Sequence, residues 1–580
     1  MDYEMFPRTC LLLWAALLLL SPSTEAQELR AFWADTFHAG MRTSAEVTAL
    51  VSAVRAAQCN AVFVEVRKRG DAYYRNGLEP VASDVAAGFD PLGDLISKAH
   101  SGTPRIDVHA WVVTYNIWNG ENSSPIQPSH PYNLHPDWLS EDNTGAKWAG
   151  NAGGSGNYQF DQGHPAVQQH TFDVVMDILR RYDIDGLHFD YIRYSDYNSR
   201  HSNQPWGYNP VSLARYKRLK NVTAIPAPTD ATWLQWRRDQ VTALLRKVYL
   251  NAWAAKPNVR VSAALIAYGS APANLNLTSW QASEAYGRVL QDWRGWMEEG
   301  ILDLACPMVY GTDNTRFAGW ANFAKERQYN RAAAIGMGWY LNSVSNTIAQ
   351  VKSARTLSSS GKTAVGVLGY SYAVPNSDGL SRTATWAAFT DDAAAETYDP
   401  GGAPIFGSVA TVPPMSWKTN ATKGHVMGRV GTGTSNSDFD GATVTLAGPT
   451  NRSLVTDATG FFGAVDIPSG TYSLNINLPG YRPLSKSVTV TNGMVAEATA
   501  ALEQVPLQIV ALTRNAGAST LTITWTSVPR RRYRVEASQN AQQWSAIASN
   551  ISATAAGTSY VWPIPVTWQD KGFVRVVEEP

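Results

Sequence analysis

The 580-residue chain has few cysteines and no surplus of charge of either sign. Of its three cysteines, Cys59 and Cys306 lie in apolar surroundings where free buried thiols are usual, so a fold held by several disulfides is excluded. Lys plus Arg and Asp plus Glu both number 48, so no global field attracts nucleic acid or an anionic membrane. After residue 26 no apolar run is long enough for a transmembrane helix. We therefore expect no nucleic-acid partner and no membrane span.

The chain is rich in hydrophobic and aromatic side chains. Hydrophobic residues make up 44%, and 21 Trp and 25 Tyr contribute most of the 11% aromatic share. Charged residues make up only 17%, which is typical of a globular chain with sizeable cores. Trp and Tyr combine a large rigid face with a polar tip and are frequent at ligand-binding surfaces. A chain of this length is expected to form about three or four domains.

Residues 1–26 have the pattern of a secretory signal peptide. Arg8 gives a weakly positive start, and residues 10–20 (CLLLWAALLLL) form an apolar run of suitable length. Small residues follow at the expected cleavage point, in 21–26 (SPSTEA). Cys10 lies inside the apolar run and not just after it, which is not the position of a lipid-attachment cysteine. We expect a secreted or periplasmic protein without a lipid anchor.

Strand patterns alternate with helix patterns between residues 27 and about 400. Eight β-rich runs lie at residues 29–35, 61–67, 105–113, 186–192, 259–268, 303–310, 332–340 and 364–372. Amphipathic helix patterns lie between them, including those at residues 44–57, 166–182, 231–254 and 284–300. Eight such units predict an α/β fold, a closed (β/α)8 TIM barrel. The alternative, an open doubly wound sheet, would need a glycine-rich phosphate turn after the first strand, and the sequence has none there.

The pattern changes after about residue 400. A linker at 401–423 precedes residues 424–502 and 506–580, where short strands alternate with Gly, Pro, Asn and Asp turns over the length of small all-β sandwiches. The segments GHVMGRV (424–430), DATGFFGAVDIPSGTYSLNI (457–476) and PGYRPL (479–484) resemble the carboxypeptidase regulatory-like, transthyretin-type domain. The second module resembles a fibronectin type III module. Both resemblances imply spacers or binding accessories.

The fourth predicted strand carries the strongest candidate for a functional side chain. Functional groups of a TIM barrel lie at the carboxyl ends of its strands. Period-2 alternation turns Leu187, Phe189 and Tyr191 towards the helices and His188 and Asp190 into the barrel. A carboxylate inside a barrel is costly unless it is paired or used, so we take Asp190 as a functional residue.

The other strands place further polar and aromatic side chains at the same end. Glu65 and Arg67 face inward on the second strand, where an internal ion pair and a direct catalytic role are both open. Further candidates at the strand ends are Asp35, His109, Trp111, Arg193, Tyr310, Asp313, Trp339 and Tyr370. The number of aromatic residues at one rim indicates a cleft of the size of a sugar.

These motifs resemble the glycosyl hydrolase-like 10 family over about residues 28–395. The resemblance is carried, among others, by RAFWADTF (30–37), NAVFVEVRKRGDAYY (60–74), DIDGLHFDYIRY (183–194), DWRGWMEEGILDLACPMVY (292–310) and IGMGWY (335–340). It implies a barrel glycoside hydrolase, secreted or of the cell envelope, that cleaves a polysaccharide. It also implies bacterial cell-wall glycan strands, particularly peptide-free ones, as a substrate.

Glycoside hydrolysis needs two carboxyl groups, about 5–5.5 Å apart for retention or about 6.5–9.5 Å apart for inversion. Neighbouring strands are about 4.8 Å apart, so Asp190 has two comparable partners, Glu65 two strands away and Asp313 just past the sixth strand. We assign Asp190 as nucleophile or electrostatic stabiliser, Glu65 as first choice for general acid and Asp313 as second. The residues assigned to substrate binding or to holding the carboxylates are Asp35, Arg67, His109, Trp111, His188, Arg193, Tyr310, Trp339 and Tyr370.

Two other functions stay open from the sequence. A non-catalytic carbohydrate-binding or adhesion protein on a barrel scaffold would use the same aromatic and acidic residues. A metal-dependent barrel hydrolase would need clustered ligands, such as two histidines one residue apart on the first strand, where only Asp35 and His38 occur. We therefore expect no metal and no other cofactor. The sugar, the linkage, the stereochemistry and the oligomeric state stay open.

Overall fold

A computed structural model describes residues 26–120, 123–150, 156–196, 203–431, 439–515, 517–529, 531–568 and 572–579. The predicted signal peptide lies outside these residues, apart from Ala26. Eight parallel strands form a closed barrel in chain order. They are β1 (Leu29–Ala34), β2 (Ala61–Arg67), β3 (Asp107–Val113), β4 (Gly186–Asp190), β5 (Arg260–Ile266), β6 (Leu304–Val309), β7 (Ala332–Gly338) and β8 (Gly366–Tyr370). β8 pairs with β1, Tyr370 opposite Trp33, so the predicted TIM barrel is confirmed.

The main helices of the barrel region are α1 (Ser44–Ala56), α2 (Pro91–His100), α3 (Pro165–Arg181), α4 (Pro210–Lys220), α5 (Ala231–Ala255), α6 (Trp293–Glu299), α7 (Asn314–Glu326), α8 (Val344–Arg355) and α9 (Arg382–Thr390). Side-chain caps start many of them; Thr43, for example, accepts a hydrogen bond from the Glu46 N–H at the start of α1. The single helix predicted at 284–300 is instead two, Glu284–Gly287 and α6. The chain breaks there because Leu290 has a positive φ and Asp292 caps a new helix.

Strand alternation divides the apolar side chains of the barrel into two layers. Phe32, Val64 and Phe189 face outward and pack against the helices. Trp33 and Phe63 face inward and fill the barrel. Burying each such side chain stabilises the fold by about 1.5–3 kcal/mol. Both cysteines of the described chain, Cys59 and Cys306, are free and buried.

The segment predicted as a linker, residues 401–423, packs against the amino end of the barrel. Its strand Ala410–Thr411 pairs with Ala26–Gln27. Further along, the indole N–H of Trp417 donates to Asp303 at 2.7 Å, and Lys418 forms an ion pair with the same carboxylate at 2.7 Å. These contacts close the end of the barrel opposite to the predicted site.

Two all-β modules follow the barrel. The first contains β9 (Gly424–Arg429), β10 (Thr443–Ala447), β11 (Arg452–Val455), β12 (Phe461–Ile467), β13 (Gly470–Asn477), β14 (Leu484–Val490) and β15 (Val495–Glu497), in a three-stranded and a four-stranded sheet. The second contains β16 (Ile509–Asn515), β17 (Thr520–Thr526), β18 (Arg532–Ser538), β19 (Ser545–Ser552), β20 (Gly557–Pro563) and β21 (Phe573–Glu579), in two three-stranded sheets. Arg215 of α4 donates two hydrogen bonds to Asp440, at 3.0 and 2.9 Å, and so ties the first module to the barrel. Within the described ranges, no helix has the length and apolarity needed to cross a membrane.

Candidate active site

A cleft of about 290 Å³ opens at the carboxyl ends of the barrel strands. Its walls are formed by Trp33, Phe37, Glu65, Lys68, Arg69, Trp111, Val113, Asn116, Asp190, Tyr191, Arg193, Ala264, Ala267, Tyr268, Met308, Tyr310, Arg316 and Tyr370. The barrel therefore brings Glu65 and Asp190, two of the predicted catalytic carboxyl groups, to one cavity. It brings the predicted Trp111, Arg193, Tyr310 and Tyr370 there as well.

Asp190 is the last residue of β4, and its carboxylate is held by two donors. Its Oδ1 accepts hydrogen bonds from the Tyr191 N–H at 2.6 Å and from Arg193 Nη1 at 3.2 Å. Both donors reach the same oxygen, so among the described residues Oδ2 is left to face the cleft. The guanidinium and the N–H fix the orientation of the carboxylate. Such a group can attack the anomeric carbon of a sugar bound in the cleft, or stabilise positive charge there.

Glu65 is almost fully buried at 1% exposure, yet its side chain lines the cleft. Its Oε2 accepts hydrogen bonds from the Thr36 N–H at 2.8 Å and from Thr36 Oγ1 at 2.7 Å. Burial raises the pKa of Glu65 to about 7, against the effect of the two Thr36 bonds, and the charge of Asp35 adds to the rise. A carboxyl with a pKa near 7 keeps its proton in part at neutral pH, as a general acid must.

The strand register fixes how the two carboxyl groups stand to each other. Glu65 lies opposite Trp111 on β3, and Trp111 lies opposite His188 on β4. Glu65 is therefore level with His188, and Asp190, the next inward-facing residue of β4, lies nearer the mouth of the barrel. Because β3 lies between β2 and β4, the two backbones are about 9–10 Å apart. That spacing leaves room for a glycosidic bond between the two side chains.

Aromatic rings form much of the remaining wall. Tyr310 and Tyr370 stack with ring centres 5.8 Å apart, and Trp111 meets Tyr370 edge-on at 6.5 Å. The buried Nε1 of Trp111 has no hydrogen-bond partner in the described part of the chain. Flat rings and an unused donor beside two carboxyl groups suit a saccharide, which presents apolar faces and hydroxyl edges.

His188 faces inward as predicted, but it lies beneath the cleft and does not line it. Its Nε2 accepts a hydrogen bond from Trp33 Nε1 at 2.9 Å, so its Nδ1–H donates to Ser262 Oγ at 2.9 Å. Burial lowers the pKa of His188 to about 3, which keeps the ring neutral. His188, predicted to bind sugar or to hold the carboxylates, is therefore not brought to the cleft wall. His188 holds Trp33, which is itself part of the wall.

His109 and Trp339, both predicted to bind substrate, lie in the core instead. His109 is fully buried and stacks on Phe63 at 4.1 Å, because it lies at the depth of Gly186, where β4 begins. Trp339 lies on the outer side of the barrel and packs against Phe32 at 6.2 Å. Neither ring reaches the cleft.

Asp313, the second choice for general acid, is an exposed helix cap. Its Oδ1 accepts hydrogen bonds from the N–H groups of Thr315 and Arg316, at 2.9 and 3.1 Å, at the start of α7. The carboxylate does not line the cleft, so the structure does not bring Asp313 together with Glu65 and Asp190. The capping preference of Asp before a helix accounts for the residue at this position.

Arg67 and Asp35 also have other partners than predicted. A bulge after Glu65 turns Arg67 to Glu79, with Nε at 2.6 Å, so the ion pair of Arg67 with Glu65 is not formed. Asp35 is buried and accepts a hydrogen bond from His38 Nδ1 at 2.8 Å. Neither side chain lines the cleft: Arg67 supports the loop after β2, and Asp35 acts on Glu65 through its charge.

Several cleft residues were not predicted from the sequence. Tyr191, expected to face the helices, faces the cleft because its φ of 49° turns the chain after Asp190. The others are Trp33, Phe37, Lys68, Arg69, Val113, Asn116, Ala264, Ala267, Tyr268, Met308 and Arg316. Lys68 and Arg69 directly follow β2, and that position past a strand end was a usable signal. Nothing in the sequence around Arg316 indicated that it reaches the cleft.

Two protein families match parts of the chain. A sequence profile of the glycosyl hydrolase-like 10 family matches residues 28–355, and one of the carboxypeptidase regulatory-like domain matches residues 425–503. The fibronectin type III module at residues 506–580 stays a prediction.

Two curated relatives are similar to the barrel. Glycosyl hydrolase YngK of Bacillus subtilis is 24% identical over 300 residues, which are 49% of this chain and 53% of the relative. Glycosyl hydrolase DigH of Escherichia coli is 25% identical over 275 residues, 43% of this chain and 54% of the relative. The chain spans about half the length of the curated relatives it matches.

Among solved structures, alpha-L-fucosidase isoenzyme 2 from Paenibacillus thiaminolyticus is 11% identical, with 95% of this chain and 99% of that chain covered at a TM-score of 0.43. The catalytic domain of beta-amylase from Paenibacillus polymyxa is 10% identical, with 65% and 99% covered at a TM-score of 0.40. The family profile, by contrast, spans more than half of the sequence and includes β1 to β7 of the barrel with both cleft carboxyl groups. The chain therefore belongs to the glycosyl hydrolase-like 10 family.

Proposed function

We propose that the protein is an exported glycoside hydrolase that cleaves O-glycosidic bonds of a polysaccharide in the cleft of the barrel. The observation that carries the proposal is the pair of carboxyl groups, Glu65 and Asp190, that line one cavity in different surroundings. Asp190 is held by a guanidinium and an N–H, whereas Glu65 is desolvated and has a raised pKa. Two carboxyl groups with contrasting environments are what an acid and its ionised partner require.

In this proposal Glu65 donates its proton to the leaving glycosidic oxygen. Asp190 faces the anomeric carbon and acts as nucleophile or stabilises the oxocarbenium-like transition state. Arg193 orients the Asp190 carboxylate, and the rings of Trp111 and Tyr370 contact the sugars. None of these steps needs a cofactor.

For the substrate, we propose a bacterial cell-wall glycan strand as the first to test. The names of the two relatives, both glycosyl hydrolases, support the reaction class. The pattern of residues 1–26 supports export.

The test compares wild-type residues 27–580 with Asp190→Asn on peptide-free cell-wall glycan and a panel of polysaccharides, with released reducing ends as the readout. We expect the variant to lose about a hundredfold or more of the activity. Asp313→Asn is the matched control, because Asn also caps helices and Asp313 lies outside the cleft. It should keep its activity, and melting curves should show all three proteins folded.

An active Asp190→Asn protein would remove Asp190 from the mechanism. If wild type binds a glycan but releases no reducing ends from any, the alternative of a non-catalytic carbohydrate-binding protein replaces the hydrolase.

A further inference from the structure

The cleft holds more cations than carboxylates. Lys68, Arg69, Arg193 and Arg316 line it together with Glu65 and Asp190. Arg193 is paired with Asp190. For Lys68, Arg69 and Arg316, no carboxylate oxygen of the described ranges lies within 4.0 Å, the limit for an ion pair. The cleft is therefore positive whether Glu65 is ionised or protonated.

Two of these cations are fixed at one place by an aromatic ring. Lys68 Nζ lies 4.5 Å from the ring centre of Phe37, and the Arg69 guanidinium lies 4.7 Å from the same centre. Lys68 Nζ also donates to the backbone carbonyl of Thr36 at 3.3 Å. A ring and a carbonyl orient these groups without neutralising their charges. On the opposite wall, Arg316 donates to the carbonyl of Tyr310, which likewise leaves its charge uncompensated.

Glu65 and Asp71 act on Arg69 through their charges, and Glu65 acts on Lys68 likewise, but within the described ranges neither cation forms an ion pair. Like charges held side by side repel each other, and partial burial strengthens the repulsion. Phe37 is itself 48% exposed, so the ring covers no core that would offset the cost. A bound anion would remove the repulsion, and an Arg guanidinium with a neighbouring ammonium matches the two oxygens of a carboxylate.

We propose that Lys68 and Arg69, held on Phe37, form a subsite that binds a carboxylate on the sugar at the Glu65 side of the scissile bond. The subsite makes the cleft selective for acidic over neutral glycans. It lies on that side because both residues directly follow β2, the strand that carries Glu65. This inference rests on the proposed function, since it takes the cleft to be the glycan site. The carboxylate can belong to a uronic acid or to a lactyl ether on an amino sugar.

The test measures binding separately from turnover. The protein carries Asp190→Asn, and calorimetry gives its Kd for a polyuronate, for a peptide-free cell-wall glycan, and for each of the two after chemical reduction of its carboxylates to alcohols. We expect at least one acidic glycan to bind about tenfold tighter or more than its reduced form, with the preference weakening at high salt. Whichever glycan shows the preference identifies the source of the carboxylate.

Added to this protein, the double change Lys68→Gln and Arg69→Gln should abolish the preference. The exchange Lys68→Arg with Arg69→Lys keeps both charges and should keep the preference. It thus distinguishes loss of charge from damage to the fold. Lys423→Gln with Lys486→Gln removes the same charge at two positions outside the cleft, the end of the 401–423 segment and the first β-module, and should change nothing. Melting curves accompany every variant.

Equal binding of the acidic and reduced forms, no binding of either acidic glycan, or a preference that survives Lys68→Gln with Arg69→Gln would each overturn the subsite. Turnover by wild type separates this result from the proposed function. If the preference is present but no glycan is cleaved, the subsite stands and the hydrolase proposal fails. If acidic and reduced glycans are bound and cleaved equally, the hydrolase stands and the subsite fails.

Discussion

Each end of the barrel buries a carboxyl group, but the two ends surround it differently. At the amino end, Asp303 is fully buried and accepts hydrogen bonds from Trp417 Nε1 at 2.7 Å, Tyr249 Oη at 3.1 Å and the Val261 N–H at 2.9 Å. Lys418 adds an ion pair at 2.7 Å. The segment predicted as a linker supplies two of these four partners, so they also fix that segment to the barrel.

At the carboxyl end, Glu65 is equally buried, but among the residues that the structure describes only Thr36 donates hydrogen bonds to it. Burial by itself raises the pKa of either carboxyl. At Asp303 the charges of Lys418 and Arg331 reverse that effect and hold the pKa below its ordinary value. At Glu65 burial prevails and the pKa rises to about 7.

The contrast shows that burial of a carboxyl group does not by itself indicate catalysis. Asp303 is fully buried with both oxygens occupied, and it serves stability. Glu65 accepts fewer hydrogen bonds and borders a cleft, so it can exchange a proton with a ligand. Access and unsatisfied hydrogen-bonding capacity are the features that distinguish a reactive carboxyl from a structural one.

Replacing Glu65 by Gln should have the largest effect on activity. We expect kcat/KM on the glycan to fall by about 10²–10⁴-fold, because the amide cannot donate the proton that the leaving oxygen needs. The fold should be kept, since the amide oxygen can still accept both Thr36 bonds. A substrate with a phenolate leaving group that needs no proton should lose far less. An equal loss on both substrates would contradict the role of general acid.

Replacing Asp303 by Asn should instead lower the stability and leave the activity nearly unchanged. The buried Lys418 ammonium would lose its counter-charge, and we expect the free energy of unfolding to drop by about 3–5 kcal/mol. Denaturant unfolding followed by tryptophan fluorescence measures this drop. The activity of each folded molecule should stay within a few-fold of wild type.

The double variant Asp303→Asn with Lys418→Met is the matched control, because it removes both charges and should recover much of the lost stability. If Asp303→Asn instead lowers kcat without lowering stability, the division into a structural and a reactive end of the barrel is wrong.

Strand alternation allowed much of the barrel to be predicted from the sequence. It located all eight strands to within a few residues and placed Asp190 and Glu65 inside. The same alternation, continued one residue past the end of β7, also predicts that Trp339 faces outward, because Ile335 and Met337 do so. The depth of a residue along its strand was harder to predict, because the register between strands depends on the shear of the closed barrel. That is why His109, at the level of Gly186, was wrongly expected at the mouth.

Other features depend on contacts that a local pattern does not contain. Arg67 turns to Glu79 because of a bulge, and Tyr191 faces the cleft because of one positive φ. The placement of Arg316 depends on where α7 starts relative to the mouth. Such positions follow from the tertiary packing and not from periodicity.

A smaller change, Thr36→Val, should sharpen the contrast between the two carboxyl groups. Valine has the shape of threonine but lacks the hydroxyl that donates to Glu65 at 2.7 Å. That bond favours the ionised carboxylate, so its loss should raise the pKa of Glu65 further above the present value of about 7. Glu65 must be protonated to act, so kcat/KM falls as the pH rises through this pKa. The falling limb of the pH profile should therefore move to higher pH, by about one unit, while activity below the limb stays within a few-fold.

Thr36→Ser keeps the hydroxyl and should leave the limb in place. A limb that stays fixed in Thr36→Val, or moves to lower pH, would mean that a group other than Glu65 supplies the proton.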